Sequence, residues 1–350
     1  MGTIVALIVL SILIFLHELG HFLTARFFGV KVEVFSIGFG KKLFSKRFGD
    51  TQWSISAIPL GGYVKMKGQD DSDPTKVSYD SDSYSSKKPW QKIGILLAGP
   101  FANFVTAFVI FVIMASIGLP RLLPYIADVA PNSPASIAKL QKDDKILSIN
   151  NQEVKYWYQV GELINSSNGM VDMRIQRDDK IIDLTIEPKE VTIKNRFNEE
   201  IKRHIIGISP ELKQVTQRLN PIDALSYAYD ETIKASKMIF KGIQKMIVGD
   251  VDTKEIGGVI SIVDITSKAS NAGILALLFF TAIISVNLGV LNLLPIPALD
   301  GGHIMFNLYE MISGKEANEK VMYYLTVAGW IILLSLMLLG VYNDINRILD

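Results

Sequence analysis

The stretch Met1–Phe28, MGTIVALIVLSILIFLHELGHFLTARFF, places His17, Glu18 and His21 inside an otherwise apolar run. Residues four apart share one face of an α-helix, so both imidazoles can reach one cation, with Glu18 within water-mediated reach of it. The run exceeds the ~20 residues needed to cross ~30 Å of hydrocarbon. A charged side chain at that depth costs about 2.5–3.5 kcal/mol on insertion scales, so the pattern points to a metal site. The run has no basic n-region and stays apolar well past the roughly 7–15 residues of a signal-peptide core, so it reads as a permanent helix.

Three further runs of this kind are Ile93–Leu119, Gly273–Leu294 and Tyr324–Tyr342. With 49% hydrophobic residues among 350, the chain is too apolar to be wholly soluble. A net charge of +1 gives no basis for binding nucleic acid. The absence of cysteine leaves His, Asp and Glu as metal ligands. Twelve Lys and Arg from Arg26 to Lys92 place that loop on the cytoplasmic side by the positive-inside rule, with both termini and the long middle segment outside.

Two histidines leave a catalytic zinc site one protein ligand short. Glu18 is reserved as general base. Asp300 is preferred as the third ligand: it closes Asn292-Leu-Leu-Pro-Ile-Pro-Ala-Leu-Asp300 at the cytoplasmic end of the third run, the depth at which the motif histidines lie. His303 is the rival, and His204, in the outer segment, reads as structural. Pro295 and Pro297 interrupt the helix, and such backbone persists at membrane depth only beside a hydrated, protein-lined cavity. Gly20, the proline break and Gly301–Gly302 are expected to line a channel, while Gly99 and Asn103 read as helix-packing residues.

Between the first two runs, Val32–Ser36, Leu43–Phe48, Thr51–Ile58 and Tyr63–Lys67 read as strands of a membrane-associated β-meander, turning at Gly38–Gly40, Gly49–Asp50 and Gly61–Gly62. Tyr63–Lys67 is expected to take an extended substrate by β-strand addition, making Gly61, Gly62, Tyr63, Val64 and Lys65 candidate substrate-binding residues. Gln69–Lys88 reads as a mobile polar linker. In the outer segment, Tyr125–Val129 reads as a strand, Ser133–Leu140 as a capped helix, Lys145–Asn150 as a strand into an Asn150–Asn151 turn, Tyr158–Ile164 as a helix, and Val171–Arg177 with Lys180–Ile186 as a hairpin. Its string Val129 to Asn150 resembles a bacterial PDZ domain, although that family usually has Gly where Lys139 and Asp143 stand. Pro221–Val248 has helical periodicity, suited to the membrane surface or to packing on the PDZ-like module.

These readings divide the chain into a first transmembrane helix (1–28), β-meander and linker (29–91), second helix (92–119), PDZ-like domain (120–212), amphipathic region (213–272), third helix with the proline segment (273–302), cytoplasmic loop (303–323), and fourth helix with the C-terminus (324–350). The fold class is a multi-pass α-helical membrane protein of four transmembrane helices, carrying a cytoplasmic-side β-meander and an extracytoplasmic PDZ-like α+β domain.

The whole order of motifs resembles the site-2 protease family of intramembrane zinc metalloproteases in its RseP-type form. These are His17-Glu-Leu-Gly-His21, Gly61-Gly-Tyr-Val64, Ala98-Gly-Pro-Phe-Ala-Asn103, one PDZ-like segment, and Asn292 to Gly301. The resemblance implies zinc on His17, His21 and Asp300, catalysis by Glu18, and Asn292 helping to hold substrate. It further implies a bacterial inner-membrane location and single-span membrane substrates such as anti-sigma factors and remnant signal peptides. Where relatives have Gly-Pro-Ile before the third helix, this chain has Gly258-Val259-Ile260. Competing readings are a membrane metal transporter using the same His/His/Asp site, and a catalytically inactive PDZ scaffold.

Overall fold

The computed structural model describes residues 2–69, 78–167, 169–195, 199–250 and 252–349. Two compact units divide the chain: Met1–Met114 with Ile222–Asp350, and Ala115–Pro221.

In the first unit, α1 (Gly2–Phe27) buries Ala6, Leu10, Leu13, His17, His21 and Ala25. Steps of three and four make these one stripe, so the motif histidines continue the packed face of the helix. Gly29, at φ 69°, ends α1 in a Schellman turn: its N–H donates to Arg26 O at 3.0 Å, and that of Val30 to Ala25 O at 2.8 Å.

Strands β1 (Val32–Phe48) and β2 (Thr51–Met66) bend into four paired segments. Residues 42–48 form a hairpin with 51–56. Residues 52–55 in turn lie beside 34–37, with both numbers rising together, and 32–37 pairs on its other side with 62–66. The order across the sheet is therefore not the expected meander, because the first segment sits inside rather than at an edge. Burial explains this. Val32 and Phe35 are fully buried, and Phe35 stacks on Trp53 at 4.4 Å and meets Phe15 and Phe22 edge-on, whereas 39–48 is exposed throughout. The apolar segment takes the covered middle of the sheet and leaves 62–66 at an edge.

Of the expected mobile linker Gln69–Lys88, residues 70–77 lie outside the described residues. The remainder from 78 onward is docked, not mobile. Ser83 and Tyr84 are buried, and Tyr84 N–H donates to Lys67 O at 2.8 Å. Lys67 pairs with Asp82 at 2.6 Å and Asp80 at 2.9 Å, and these carboxylates hold its ammonium protonated above the usual lysine range. Short polar side chains bonding to nearby backbone order a stretch whose composition reads as a linker. Next comes α2 (Pro89–Ile117), a continuous helix that contains Pro100.

The second unit is α+β. Its elements are β3 (Leu119–Leu122), β4 (Ile126–Val129), α3 (Pro134–Ile137), β5 (Lys145–Ile149), β6 (Gln152–Glu153), α4 (Trp157–Asn165), β7 (Val171–Arg177), β8 (Lys180–Ile186), β9 (Lys189–Lys194), β10 (Glu200–Ile205), β11 (Ile208–Pro210) and β12 (Gln214–Gln217). The main sheet runs β6-β5-β7-β8 over an aliphatic core that includes Ile126, Ile146, Ile149, Met173 and Ile175. Ser133 caps α3 by accepting from Ser136 N–H at 3.2 Å. The turn residues Asn150 and Asn151 both have positive φ. Lys139 and Asp143, where the PDZ pattern favours glycine, sit at φ 61° and 70°. The left-handed backbone is thus kept without the residue that adopts it freely, at roughly 1–2 kcal/mol each.

Returning to the first unit, α5 (Pro221–Val248) buries Ala224, Ala228, Thr232 and Ala235 and sets Tyr227 edge-on to Phe111 of α2. Its packed stripe therefore lies among the apolar helices. After it come α6 (Val259–Ala272), α7 (Ile274–Asn292), α8 (Asp300–Ser313) and α9 (Glu319–Leu349). Region 213–272 is thus not one amphipathic stretch but β12, α5 and α6. At the Gly258-Val-Ile joint, Val259 takes the first helical position, and Gly258 and Ser261 N–H donate to Asp344 of α9 at 3.0 Å each. The expected loop 303–323 is largely helix, since α8 runs to Ser313 and Gly314 follows at φ 68°. Too short to span a bilayer, α8 escapes a hydropathy reading. Among the described residues, α1, α2, α7 and α9 are long and apolar enough to cross a membrane.

Candidate metal centre

Helix α7 stops at Asn292 because Pro295 and Pro297 lack the N–H groups that would continue it. Two tight turns follow, with Ile296 N–H donating to Leu294 O at 2.7 Å and Leu299 N–H to Ile296 O at 2.8 Å, and α8 starts at Asp300. A Cβ on Gly301 would overlap Leu294 O, and one on Gly302 would overlap Ile296 O. These glycines fold α8 back against the turns instead of lining a channel. Gly20 likewise packs on the Ala98 carbonyl. An ion pair between Lys92 Nζ and Glu310, at 3.1 Å and largely buried, ties the start of α2 to α8.

This turn carries Asp300 to the buried face of α1. Asp300 Oδ2 lies 3.4 Å from Nε2 of both His17 and His21, and the two Nε2 atoms are 3.2 Å apart. Tetrahedral zinc with bonds of about 2.0–2.1 Å sets its ligand atoms roughly 3.3–3.4 Å apart. The three atoms therefore already stand at the spacing of one face of such a tetrahedron. Asp300 Oδ2 is moreover buried with no hydrogen-bond partner, so converging acceptors await a cation. Among the described residues these three form the one cluster of at least three His, Cys, Asp or Glu suited to a metal ion. His303 is not in it; its ring lies against Phe306. His204 lies on β10 in the other unit, where its N–H donates to Asn165 Oδ1 at 3.2 Å.

The backs of both imidazoles are held. His21 Nδ1 lies 2.8 Å from Ile95 O, and His17 Nδ1 lies 3.0 Å from Asn103 Nδ2. Asn103 is fully buried. A Cβ on Gly99 would overlap His21 Nε2 and come within 2.8 Å of His17 Cε1. Gly99 and Asn103, read from sequence as packing residues, therefore touch the rings of His17 and His21. The signal for Asn103 was available, because a polar amide inside an apolar helix is itself costly unless it is hydrogen-bonded, and so implies a partner.

Glu18 and Asn292 line a space of about 270 Å³ together with His17, His21 and Asp300. It shares its Gly62–Val64 and Leu299–Asp300 walls with a larger cavity of about 530 Å³ that reaches Lys65, His303 and Trp330. Gly62, Tyr63, Val64 and Lys65 thus flank the metal cluster, but Gly61 does not; its φ of 120° makes the bend before the edge strand, against the Phe39 ring. A Cβ on Gly62 would meet Ser36 O at 2.9 Å and Glu18 Cγ at 3.1 Å, so a bare glycine lets that edge approach α1 beside Glu18.

Residues 5–336 match the model of peptidase family M50. The Campylobacter jejuni protein named "Putative zinc metalloprotease Cj1068" is 46% identical over 98% of this chain and 92% of its own length. A "Putative zinc metalloprotease" of Helicobacter pylori strain J99 is 41% identical over 99% of both chains. Among solved structures, the PDZ domain of an SdrC-like protein from Listeria monocytogenes matches 25% of this chain and 84% of that one, at 20% identity and a TM-score of 0.20. With a donor set spaced for zinc, four helices able to span a bilayer and relatives named as zinc metalloproteases along their whole lengths, this chain is a membrane protein whose cofactor is zinc, and it belongs to peptidase family M50, the site-2 proteases.

Proposed function

We propose that the protein hydrolyses peptide bonds within or near transmembrane segments of single-span membrane proteins, with His17, His21 and Asp300 holding zinc and Glu18 acting as general base. The observation that carries this is the convergence of three donor atoms beside Glu18, next to the outermost segment 62–66 of the sheet. Zinc held there supplies an activated water and a Lewis acid for the scissile carbonyl. Glu18 takes the proton from water and returns it to the leaving amine. A helical substrate must first unwind, and its exposed backbone then needs new partners in a low-dielectric site. Tyr63–Lys65 offers them by strand addition, which tolerates varied side chains because the main chain makes the bonds. Asn292, which lines the same space, helps to hold the substrate. Following the loop charges, the metal lies toward the cytoplasmic side of a bacterial inner membrane, both termini and the PDZ-like unit lie outside, and the substrates include anti-sigma factors and remnant signal peptides.

The test is Glu18→Gln in detergent-purified protein with a tagged single-span substrate. Cleavage should fall on the order of 10²–10⁴-fold while zinc content stays at the wild-type level, since the amide keeps the shape but not the basicity. Wild-type turnover in that variant refutes the assignment. A scan placing Pro singly at Tyr63, Val64, Lys65 and Met66 should lower cleavage at positions whose N–H meets substrate, with zinc retained. Full activity in every folded Pro variant refutes strand addition.

A further inference from the structure

We infer that Asn103 is the positioning residue of the metal centre: its side-chain oxygen accepts the Nδ1 proton of His17 and so commits Nε2 of that ring to zinc. The inference rests on the ligand assignment proposed above.

A neutral imidazole carries one ring proton, and a ring that lends Nε2 to a metal must keep it on Nδ1. For His21 the acceptor of that proton is the carbonyl of Ile95, at 2.8 Å. His17 has no carbonyl in this place. The polar group facing its Nδ1, at 3.0 Å, is the carboxamide of the fully buried Asn103. As oriented, the amide presents Nδ2 to the ring, which would move the ring proton to Nε2 and spoil the ligand. In that same orientation Asn103 Oδ1 is buried with no hydrogen-bond partner. The two ends of a carboxamide occupy nearly the same space, so a half-turn about the Cβ–Cγ bond changes the chemistry without moving the packing. It brings the orphaned oxygen onto Nδ1–H and frees the Nε2 lone pair for zinc.

Asn103 is well anchored for this task. Its backbone carbonyl accepts from Ser285 Oγ of α7 at 2.8 Å, which fixes α2 against α7 at this level. Both histidines then have an oxygen behind them, one from backbone and one from a side chain. Such outer partners orient a ligand and raise its basicity, and their loss typically costs about 10–100-fold in metal affinity.

The experiment measures zinc affinity by competition with a chelator, in purified full-length protein. Asn103→Leu, which keeps the bulk and removes the acceptor, should weaken zinc binding about 10–100-fold. Asn103→Asp, which keeps the shape and can only accept, should bind zinc at least 5-fold more tightly than Asn103→Leu by the same logic. A residue needed only for packing, or one that donates to Nδ1, would instead leave the aspartate no better than the leucine, and that result overturns the inference. Wild-type zinc binding in Asn103→Leu also overturns it. A second readout needs no variant: in zinc-loaded wild-type protein labelled with ¹⁵N-histidine, the His17 resonances should show the proton on Nδ1 and the metal on Nε2, and the reverse refutes it. His17→Ala separates this inference from the reading beneath it. If His17→Ala binds zinc normally, the ligand assignment itself fails; if His17→Ala loses zinc and Asn103→Leu does not, only the role of Asn103 fails.

Discussion

The α1–α2 contact and the PDZ-like unit tolerate departures from ideal packing very differently. Around His17 and His21, hydrogen atoms stand where methyl groups would collide: Gly99 against the imidazoles, Gly20 against Ala98 O, Gly62 beside Glu18. In residues 115–221 the core is an aliphatic cluster; Gly118 and Gly207 are closely packed against Thr216 and Ser133, but Gly161 has open space around the missing Cβ, and Lys139 and Asp143 occupy backbone positions that suit glycine better. A site that must hold three ligand atoms to a few tenths of an ångström depends on shape at every neighbouring position. A module held by burial has stability to spare for local strain.

One substitution made in both regions gives the strongest test of that contrast. Gly99→Ala should cost zinc affinity on the order of 100-fold or more, read as zinc per protein after dialysis against a chelator, because the new methyl group displaces both rings. Gly161→Ala, inside α4, should instead stabilise its unit by about 0.5–1 kcal/mol, read from hydrogen exchange of the sheet strands. Zinc retained in Gly99→Ala would show that the helices yield and that the comparison is wrong.

A second effect, on the stability of the PDZ-like unit alone, concerns a buried and tightly paired charge. Asp144, with a fully buried side chain, takes a two-pronged contact from Arg177 Nε and a terminal nitrogen at 2.7 and 2.8 Å. Asp144→Ala should destabilise the unit by about 3 kcal/mol, seen as faster exchange across Val171–Ile186, with zinc content unchanged. Loss of zinc there would make the two regions one cooperative whole. Comparably small, Lys139→Gly and Asp143→Gly should each raise the stability of the unit by about 1 kcal/mol by relieving left-handed strain. No gain in either would mean that neighbouring contacts already offset it.

Much of this was legible in the chain. The apolar runs, the His17-Glu18-His21 spacing and the proline break before Asp300 each carry a local physical signature, and in the structure they meet as a helix face and a turn. The hairpin Val171–Arg177 with Lys180–Ile186 was equally readable from alternation around Asp178–Asp179. Less readable were features decided by partners distant in sequence. Val32–Ile37 moves to the middle of its sheet because Phe15, Phe22 and Trp53 cover Phe35. Ser83 and Tyr84 dock although their composition is that of a linker. Helix α8 is too short for hydropathy to find, and it is held by Lys92 from 218 positions away.

By itself, then, the sequence determined which groups are costly to bury and hence which must have a purpose: two histidines, a glutamate and an aspartate set in or beside hydrocarbon-spanning segments. Local periodicity and side-chain chemistry suffice for that, because helix faces and proline breaks need no distant partner. Only the tertiary structure brought Asp300 rather than His303 to the two motif histidines, showed Gly99 and Asn103 touching those rings instead of merely packing helices, and set the edge 62–66 beside the cluster. Those outcomes depend on distances between segments far apart in the chain, and such distances are set by how closely glycine lets two backbones approach.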